Sequence, residues 1–350
     1  MNARTSHRRK LAALATWGLI LGTFGVVHAN TPDDAYDGVR LQADNDLFSG
    51  RHRDRDYTGG LAVTLSGERA RTGSLSLDPW LARMDEIVGV PEGAQTLFAR
   101  QIGFIAFTPQ DLKTSMAMQD DRPYASLFFV ANGRMSVAAD QRSAWFSSLT
   151  VGALGLPLAK DLQNGIHSLV GSDQARGYSH QISAGGEPTA RYTLAYQQLL
   201  FANPGGTLDV KATLQGGVGY LTNASAALLL RYGLSGSPWW SSTPELADNM
   251  SPPVPMSQHA GRMNTYFFTG ARIEARAYNA MLQGQFRHSD VRYASSEVEP
   301  VIVHAWFGFV TELFAHTQLS YTLNYQSAEV REGKAARDSL WGAVQMTRQF

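Results

Sequence analysis

The stretch HTQLSYTLNYQ, residues 316–326, decides the fold. Leu319, Tyr321, Leu323 and Tyr325 alternate with His316, Gln318, Ser320, Thr322, Asn324 and Gln326. A period of two places the first set on one side of an extended strand and the second on the other. The same alternation opposes Leu208, Val210, Ala212, Leu214, Val218 and Tyr220 to Asp209, Lys211, Thr213 and Gln215. In the terminal SLWGAVQMTRQF, residues 339–350, Leu340, Val344, Met346 and Phe350 fall together. Arg348 shares their side, near enough to the end for its stem to reach a membrane interface. Segments of about ten residues with one apolar and one polar side are the pattern of a transmembrane barrel, although sandwich strands alternate too.

The N-terminus favours the barrel. Arg4, Arg8, Arg9 and Lys10 precede the apolar LAALATWGLILGTFGVV, and Val27-His28-Ala29 fits a small-residue cleavage site. Residues 1–29 are therefore expected to be a secretory signal peptide and residues 30–350 the exported domain. An apolar anchor is the other reading of that run. No later stretch approaches the roughly 18 apolar residues a membrane helix needs. A mature chain held in a membrane must then be a closed barrel, because only closure satisfies every backbone group there.

Strands are expected at 38–48, 57–67, 97–108, 124–136, 144–155, 189–202, 207–220, 224–234, 263–287, 299–313, 316–327 and 339–350. Splitting the ninth would give an odd count, whereas bacterial single-chain barrels are even. The expectation is an all-β fold, a 12-stranded antiparallel transmembrane β-barrel with both termini periplasmic. Leu158, Leu162, Ile166 and Leu169 recur at helical spacing, which predicts a short helix in an extracellular loop. The inner turns 68–96 and 235–262 are long for periplasmic turns. LDPWLARMDEIVG in the first reads as a short helix.

Composition excludes some classes. Thirty basic and thirty acidic residues leave no basic excess for nucleic acid. The absence of cysteine excludes disulfides, thiolate metal sites and a cysteine nucleophile.

Three polar clusters carry the chemistry. In DNDLFSGRHRDRDYTGG, residues 44–60, Asn45 falls on the side of Val39, Leu41 and Ala43, opposite Arg40, Gln42, Asp44 and Asp46. That puts an amide on the lipid side, which is costly without a hydrogen-bond partner. A solvated strand end is the plain alternative. IAFTPQDLKTSMAMQDDRPYASL, residues 105–127, reads as a polar loop. GLPLAKDLQNGIHSLVGSDQARGY, residues 155–178, holds Gln163 and His167 four apart, with Asp173 behind. Histidine is the natural general base near neutral pH. Neither G-x-S-x-G nor H-E-x-x-H occurs. A hydrolase of this sequence would use water, activated by histidine and assisted by a metal. Oxygen donors suit calcium better than zinc.

Together NDLF…DRDYTGG, FTPQDL…DDRPYA and LQNGIH, followed by GYSHQISAGGEP, resemble the lipid A 3′-O-deacylase family of outer-membrane β-barrels. The resemblance covers most of the exported chain, with the motifs in order. It implies a calcium-dependent esterase that removes the 3′-linked acyloxyacyl group of lipid A at the barrel wall. Carried over residue by residue, it implies site roles for Asn45, Asp46, Thr58 and His167, with Ca²⁺ near Asp46. The family's acid six positions after the histidine is commonly Glu; here it is Asp173, which would orient the imidazole. Arg122 suits either a lipid phosphate or a loop brace, and Lys113 is a weaker phosphate candidate. Arg51, Arg53 and Arg55 face either anionic headgroups or neighbouring aspartates. The implied setting is a monomer in the outer membrane, with lipid A or lipopolysaccharide as substrate among outer-membrane lipids and no nucleic acid. Two other readings stand beside it. One is an outer-membrane phospholipase, although Ser168 directly after His167 departs from that pattern. The other is a non-catalytic structural barrel or porin.

Overall fold

The structure, a computed structural model, describes residues 38–50, 56–170, 173–246, 264–314 and 316–350. The expected signal peptide, Arg51, Arg53, Arg55 and most of the inner turn 235–262 lie outside them. Twelve strands form the wall: β1 (Gly38–Asn45), β2 (Asp56–Ser66), β3 (Gln95–Thr108), β4 (Ala125–Val137), β5 (Ser143–Leu154), β6 (Glu187–Ala202), β7 (Leu208–Gly219), β8 (Leu221–Leu234), β9 (Thr265–Asn279), β10 (Val301–Phe314), β11 (Thr317–Gln326) and β12 (Ser339–Gln349). Each pairs antiparallel with its sequence neighbours, and β1 pairs with β12 to close the ring. Closure removes the sheet edges, so no strand presents unpaired backbone groups to lipid. Among the described residues no helix is long and apolar enough to cross a membrane.

The alternation sorts as expected. Leu214, Val218, Leu228 and Phe307 are more than half exposed on the outer surface, while Lys211, Thr213 and Gln215 are buried in the lumen. The ninth strand differs. A single strand over 263–287 was expected, but β9 stops at Asn279, whose Oδ1 accepts from the Met281 amide at 3.0 Å. That bond caps the short helix α4 (Ala280–Gln283), labelled here in chain order after α1 (Glu68–Thr72), α2 (Asp78–Val88) and α3 (Leu158–Val170). One helical turn buries Ala280, Met281 and Leu282 together, which a strand's alternation cannot do. The helix read in LDPWLARMDEIVG is α2, and the helix expected in the extracellular loop is α3.

The lumen is filled from below. The described part of the second long inner turn, residues 235–246, buries Trp239 and Trp240. Behind them Glu245 meets Lys211 at 2.8 Å with both side chains fully buried, and accepts from Gln197 at 3.0 Å and Thr213 at 3.1 Å. Higher up, Glu274 lies 2.8 Å from Arg276, 3.3 Å from Arg272 and 3.1 Å from His304. Between the layers a cavity of about 340 Å³ remains, bordered by Arg40, Asp44, Tyr57 and Trp306.

The extracellular mouth is tied by the loop before β12. Arg337 reaches Asp56 and Asp121, each at 2.7 Å, and Lys334 reaches Asp120 at 2.7 Å. Glu329 inserts between Arg122 and Arg276. Burial pushes the Glu329 carboxyl up, but the two guanidinium groups outweigh it and hold it at about 2. A carboxyl depressed in this way stabilises the fold above its ordinary pKa of about 4.3, and that contribution is lost as pH falls through about 2. Removing one partner of a buried ion pair strands the other charges, at a cost of about 3–5 kcal/mol. Glu329→Gln should lower stability by that order at neutral pH. It should also flatten the acid dependence between about pH 4 and pH 2. Urea unfolding of the two proteins across that range, followed by tryptophan fluorescence, checks both effects.

Candidate active site

The first cluster forms where β1 ends. Asn45 faces outward, as its strand parity requires, and both ends of its amide are engaged by the protein. Its Oδ1 accepts from the Leu47 amide at 2.8 Å, and its Nδ2 donates to the Thr58 carbonyl at 2.6 Å. The first bond caps a 3₁₀ turn over Asp46–Ser49 that ends on Gly50 in the left-handed region. This turn lifts Asp46 out of strand alternation and buries its carboxylate, which is 5% exposed. A lone polar group at a lipid-side rim would be costly. Here it is a fully bonded corner.

Thr58 is brought to the same corner by a bulge. Tyr57 pairs with Phe107 and Gly59 pairs with Ala106, so Thr58 is the extra residue of β2. A bulge re-aims a side chain that regular alternation would fix. Thr58 turns outward and shares a 2.5 Å hydrogen bond with the hydroxyl of Thr108. The two glycines that follow explain the D-Y-T-G-G motif. A Cβ on Gly59 would lie 2.7 Å from the Asp44 carbonyl, and one on Gly60 would lie 2.6 Å from the Tyr57 hydroxyl. Inside the barrel, that hydroxyl donates to Asp44 at 3.0 Å. The glycines let β1 and β2 close on each other at the rim.

α3 covers the outside of the wall. Phe104 and Ala106 of β3 form a buried cluster with Ala159 of α3 and with Leu112, Tyr124, Ala175 and Tyr178, against which Phe128 and Leu162 pack. Thr108 follows on the same face of β3. The buried side of α3 carries Gln163 and His167, each 3% exposed. The imidazole is fixed at both nitrogens. Nδ1 bonds the main-chain carbonyl of Asp173, and Nε2 lies 3.2 Å from the Gln163 amide nitrogen. A carbonyl only accepts, so Nδ1 carries the proton and the Nε2 lone pair takes the Gln163 N–H. The Gln163 oxygen accepts in turn from the Tyr178 hydroxyl, and the Tyr178 ring packs 4.8 Å from Tyr124. This chain holds a neutral histidine with its basic lone pair on Nε2, the form a general base requires.

The structure differs from the sequence reading at the Asp173 side chain and decides between the two readings of Arg122. Asn45, Asp46 and Thr58 come together, and His167 sits on the helix against the adjoining wall. The orienting contact expected from the Asp173 carboxylate is made by its main-chain oxygen instead. The carboxylate points to solvent and pairs with Lys113 at 3.1 Å. Aspartate in place of glutamate therefore changes no contact of His167. Arg122 does not face lipid phosphate: it is buried against Glu329 and lies 4.2 Å over the Phe107 ring in the lumen. It is the loop brace. Lys113 stays exposed at the outer surface. Three partners went unassigned in the sequence: Thr108, Gln163 and Tyr178. Only Gln163, four residues before His167, left a signal there.

Among the described residues, oxygen is the only metal-donor type at the corner: a buried carboxylate, two hydroxyls and main-chain carbonyls. That set suits a hard cation such as calcium. Among the described residues no group of three His, Cys, Asp or Glu side chains is placed to hold a metal. A cation there would rest on Asp46 together with main-chain and hydroxyl oxygens.

Polar groups gathered beneath a loop helix on the outer face of the wall, away from the lumen, mark the candidate site of a membrane barrel. The family model for the outer membrane protein LpxR matches residues 14–350, and the chain belongs to that family. Among solved structures, LpxR from Salmonella typhimurium is similar at TM-score 0.69 and 15% identity, covering 89% of this chain and 100% of that one. That likeness shows the shared fold. The β domain of the Bordetella autotransporter BrkA aligns at TM-score 0.42 and 11% identity, covering 90% of this chain and 100% of that one. The KdgM porin aligns at TM-score 0.37 and 5% identity, covering 89% and 99%. Neither of these two bears on function. No curated protein sequence matches the chain. Membership of the family and the shared barrel place the protein in the outer membrane and support a lipid A deacylase.

The geometry separates two side chains near His167, the Asp173 carboxylate and the Gln163 amide. Asp173→Ala should leave activity within a factor of about 3, the scale of an exposed ion pair. Gln163→Leu, which keeps the bulk and removes both hydrogen bonds, should lower kcat by roughly tenfold or more. Steady-state rates on a lipid A substrate, with folding checked by heat-modifiable migration, test the pair.

Proposed function

We propose that the protein is a calcium-dependent ester hydrolase that removes the 3′-linked acyloxyacyl chain of lipid A in the outer membrane. One observation carries this reading: a neutral, doubly anchored histidine is buried between the barrel wall and α3, on the lipid side. A substrate that stays in the bilayer reaches such a site laterally. Among the described residues Trp239, Trp240 and Glu245 occupy part of the lumen, which weighs against a porin.

The work of the residues follows from their bonds. Water displaces the Gln163 amide from His167 Nε2 and gives that nitrogen its proton as it attacks the ester carbonyl. The Asp173 carbonyl holds Nδ1–H in place, so the imidazolium that forms keeps its orientation. It returns the proton from Nε2 to the leaving lipid A oxygen as the tetrahedral intermediate collapses and the ester C–O bond breaks. The Gln163 amide is kept beside the reaction by the Tyr178 hydroxyl. Asn45 locks the 3₁₀ turn that presents Asp46, and Thr58 with Thr108 supplies hydroxyls facing the incoming lipid. Asp46 would hold the calcium ion, which when bound supplies positive charge for the developing oxyanion. With the water activated by histidine, no serine nucleophile is required, and Ser168 is turned away, donating to the Gly165 carbonyl at 2.7 Å.

Detergent-solubilised protein incubated with hexa-acylated lipid A should release one acyloxyacyl unit, detected by mass spectrometry, with Ca²⁺ and not with EDTA. His167→Ala should slow the reaction by about 10²–10⁴-fold, the usual worth of a positioned general base. Intact lipid A after incubation with a folded barrel and Ca²⁺ would refute the assignment.

A further inference from the structure

The lower wall of the barrel is uneven. On the β6–β10 side its outer surface near the periplasm is apolar, with Phe201, Tyr232, Phe267 and Phe314 each at least half exposed. On the β4–β5 side the same level is polar. Asn132, Arg134 and Ser147 point outward there, on the face of Phe128 and Val151 and opposite the luminal Met135 and Phe146. Polar groups at that depth are costly in hydrocarbon unless covered.

α1 and α2 cover them. Asn132 donates to the Ala70 carbonyl at 3.1 Å and accepts from the Leu77 amide at 2.8 Å. Arg134 forms a two-pronged pair with Asp78 at 2.7 and 2.6 Å. Asp85, two turns further along α2, accepts from Ser147 at 2.8 Å and from Tyr192 at 2.9 Å. Asp78 and Asp85 of α2 thus face the barrel, whereas Glu86 is exposed and pairs with Arg83 at 2.5 Å. Its other side carries Trp80, 70% exposed, Ile87, 72%, and Val88, 54%, with Leu75 before it at 56%. A helix that buries two of its acids against the wall and exposes Trp80, Ile87 and Val88 beside an Arg83–Glu86 pair suits a membrane interface, with the apolar side chains in the leaflet and the ion pair at the headgroups. Beside it, between the 73–75 segment and the strands, runs a groove lined by Val63, Leu65, Ser74, Leu75, Arg100 and Ile102. Val63, Leu65 and Ile102 are lipid-exposed, whereas Arg100 buries its Nη1 with no hydrogen-bond partner. A guanidinium at an apolar wall calls for an anionic oxygen.

We propose that α1–α2 and Arg100 form a phospholipid site in the periplasmic leaflet of the outer membrane. The headgroup phosphate binds Arg100, and an acyl chain lies along Val63, Leu65 and Ile102. Trp80 and Ile87 enter the same leaflet and continue the apolar girdle across the polar sector. Lipid A offers the same phosphate chemistry, but the groove lies at the periplasmic end of the wall and the acyl-transfer corner at the other. The assignment does not depend on the deacylase reading.

Native mass spectrometry of the full-length barrel released from detergent, with phosphatidylglycerol or purified lipid A added, tests the site. Phosphatidylglycerol should stay bound to the wild type and to Arg142→Gln on the neighbouring turn. Arg100→Gln should lower retention roughly tenfold, the worth of one charged hydrogen bond. Heat-modifiable migration confirms a closed barrel in each variant. In vesicles of phosphatidylethanolamine and brominated phosphatidylglycerol, Trp80→Phe should remove a bromine-quenched part of the fluorescence. Equal retention by wild type and Arg100→Gln overturns the headgroup contact. Arg100-dependent retention of lipid A in place of phosphatidylglycerol gives the groove to the other leaflet's lipid and overturns the assignment. A Trp80 signal quenched by aqueous iodide and not by bromolipid overturns the membrane contact of α2.

Discussion

An unpaired polar group facing hydrocarbon is more expensive than almost anything else a membrane wall can contain. That cost organises this molecule. The outward surface turns polar in two places on the same arc of strands, and each place has a lid. Near the extracellular rim, Thr58, Thr108 and Ser126 lie under α3 and its loop, where Ser126 donates to Gln181 at 2.9 Å. Near the periplasm, Asn132, Arg134 and Ser147 lie under α1 and α2. Along β7 to β10 the wall is apolar and bare at Leu214, Leu228, Phe267 and Phe307. The decorations outside the barrel are the coverings its own polar sectors demand.

Much of this was legible in the sequence because a barrel wall writes its fold in a period of two. Strand positions, the even count, the sides of Asn45 and Asp44, and the helix carrying His167 all follow from alternation or helical spacing. The failures share a cause: the sequence names side chains, and several decisive contacts belong to the main chain. The carbonyl of Asp173 orients the imidazole, so attention went to a carboxylate that faces water. The end of β9 is set by one capping bond from Asn279, which alternation cannot register. The bulge at Thr58 leaves only a pair of glycines as its trace.

The two long inner turns show a further limit. Both are long for periplasmic turns, and their described residues go to opposite sides of the wall. α2 spaces its acids to meet outward Arg134 and Ser147, whereas the second turn carries two tryptophans and Glu245 into the lumen toward Lys211. Each destination depends on which partner side chains the strands offer, and those strands lie far away in sequence. The Asp-Asp-Arg run before β4 behaves the same way. All three residues engage the loop before β12, joining chain segments about two hundred positions apart. Pairing across that distance is invisible until the ring closes.

The bulge in β2 has a consequence for how such a site can arise. With Thr58 removed, Tyr57, Gly59 and Gly60 would pair with Phe107, Ala106 and Ile105 without a register shift, and the rim would lose one hydroxyl. With it present, one side chain is added to the outer face while every residue on either side keeps its direction. A single inserted codon therefore supplies a hydroxyl at the bilayer without disturbing the barrel's closure or the luminal packing behind it. The scaffold tolerates the novelty because the irregularity is confined to the last turn of sheet, where pairing is about to end anyway. Membrane barrels can acquire chemistry at their rims by so small a step, long before any change reaches the strands that hold them in place.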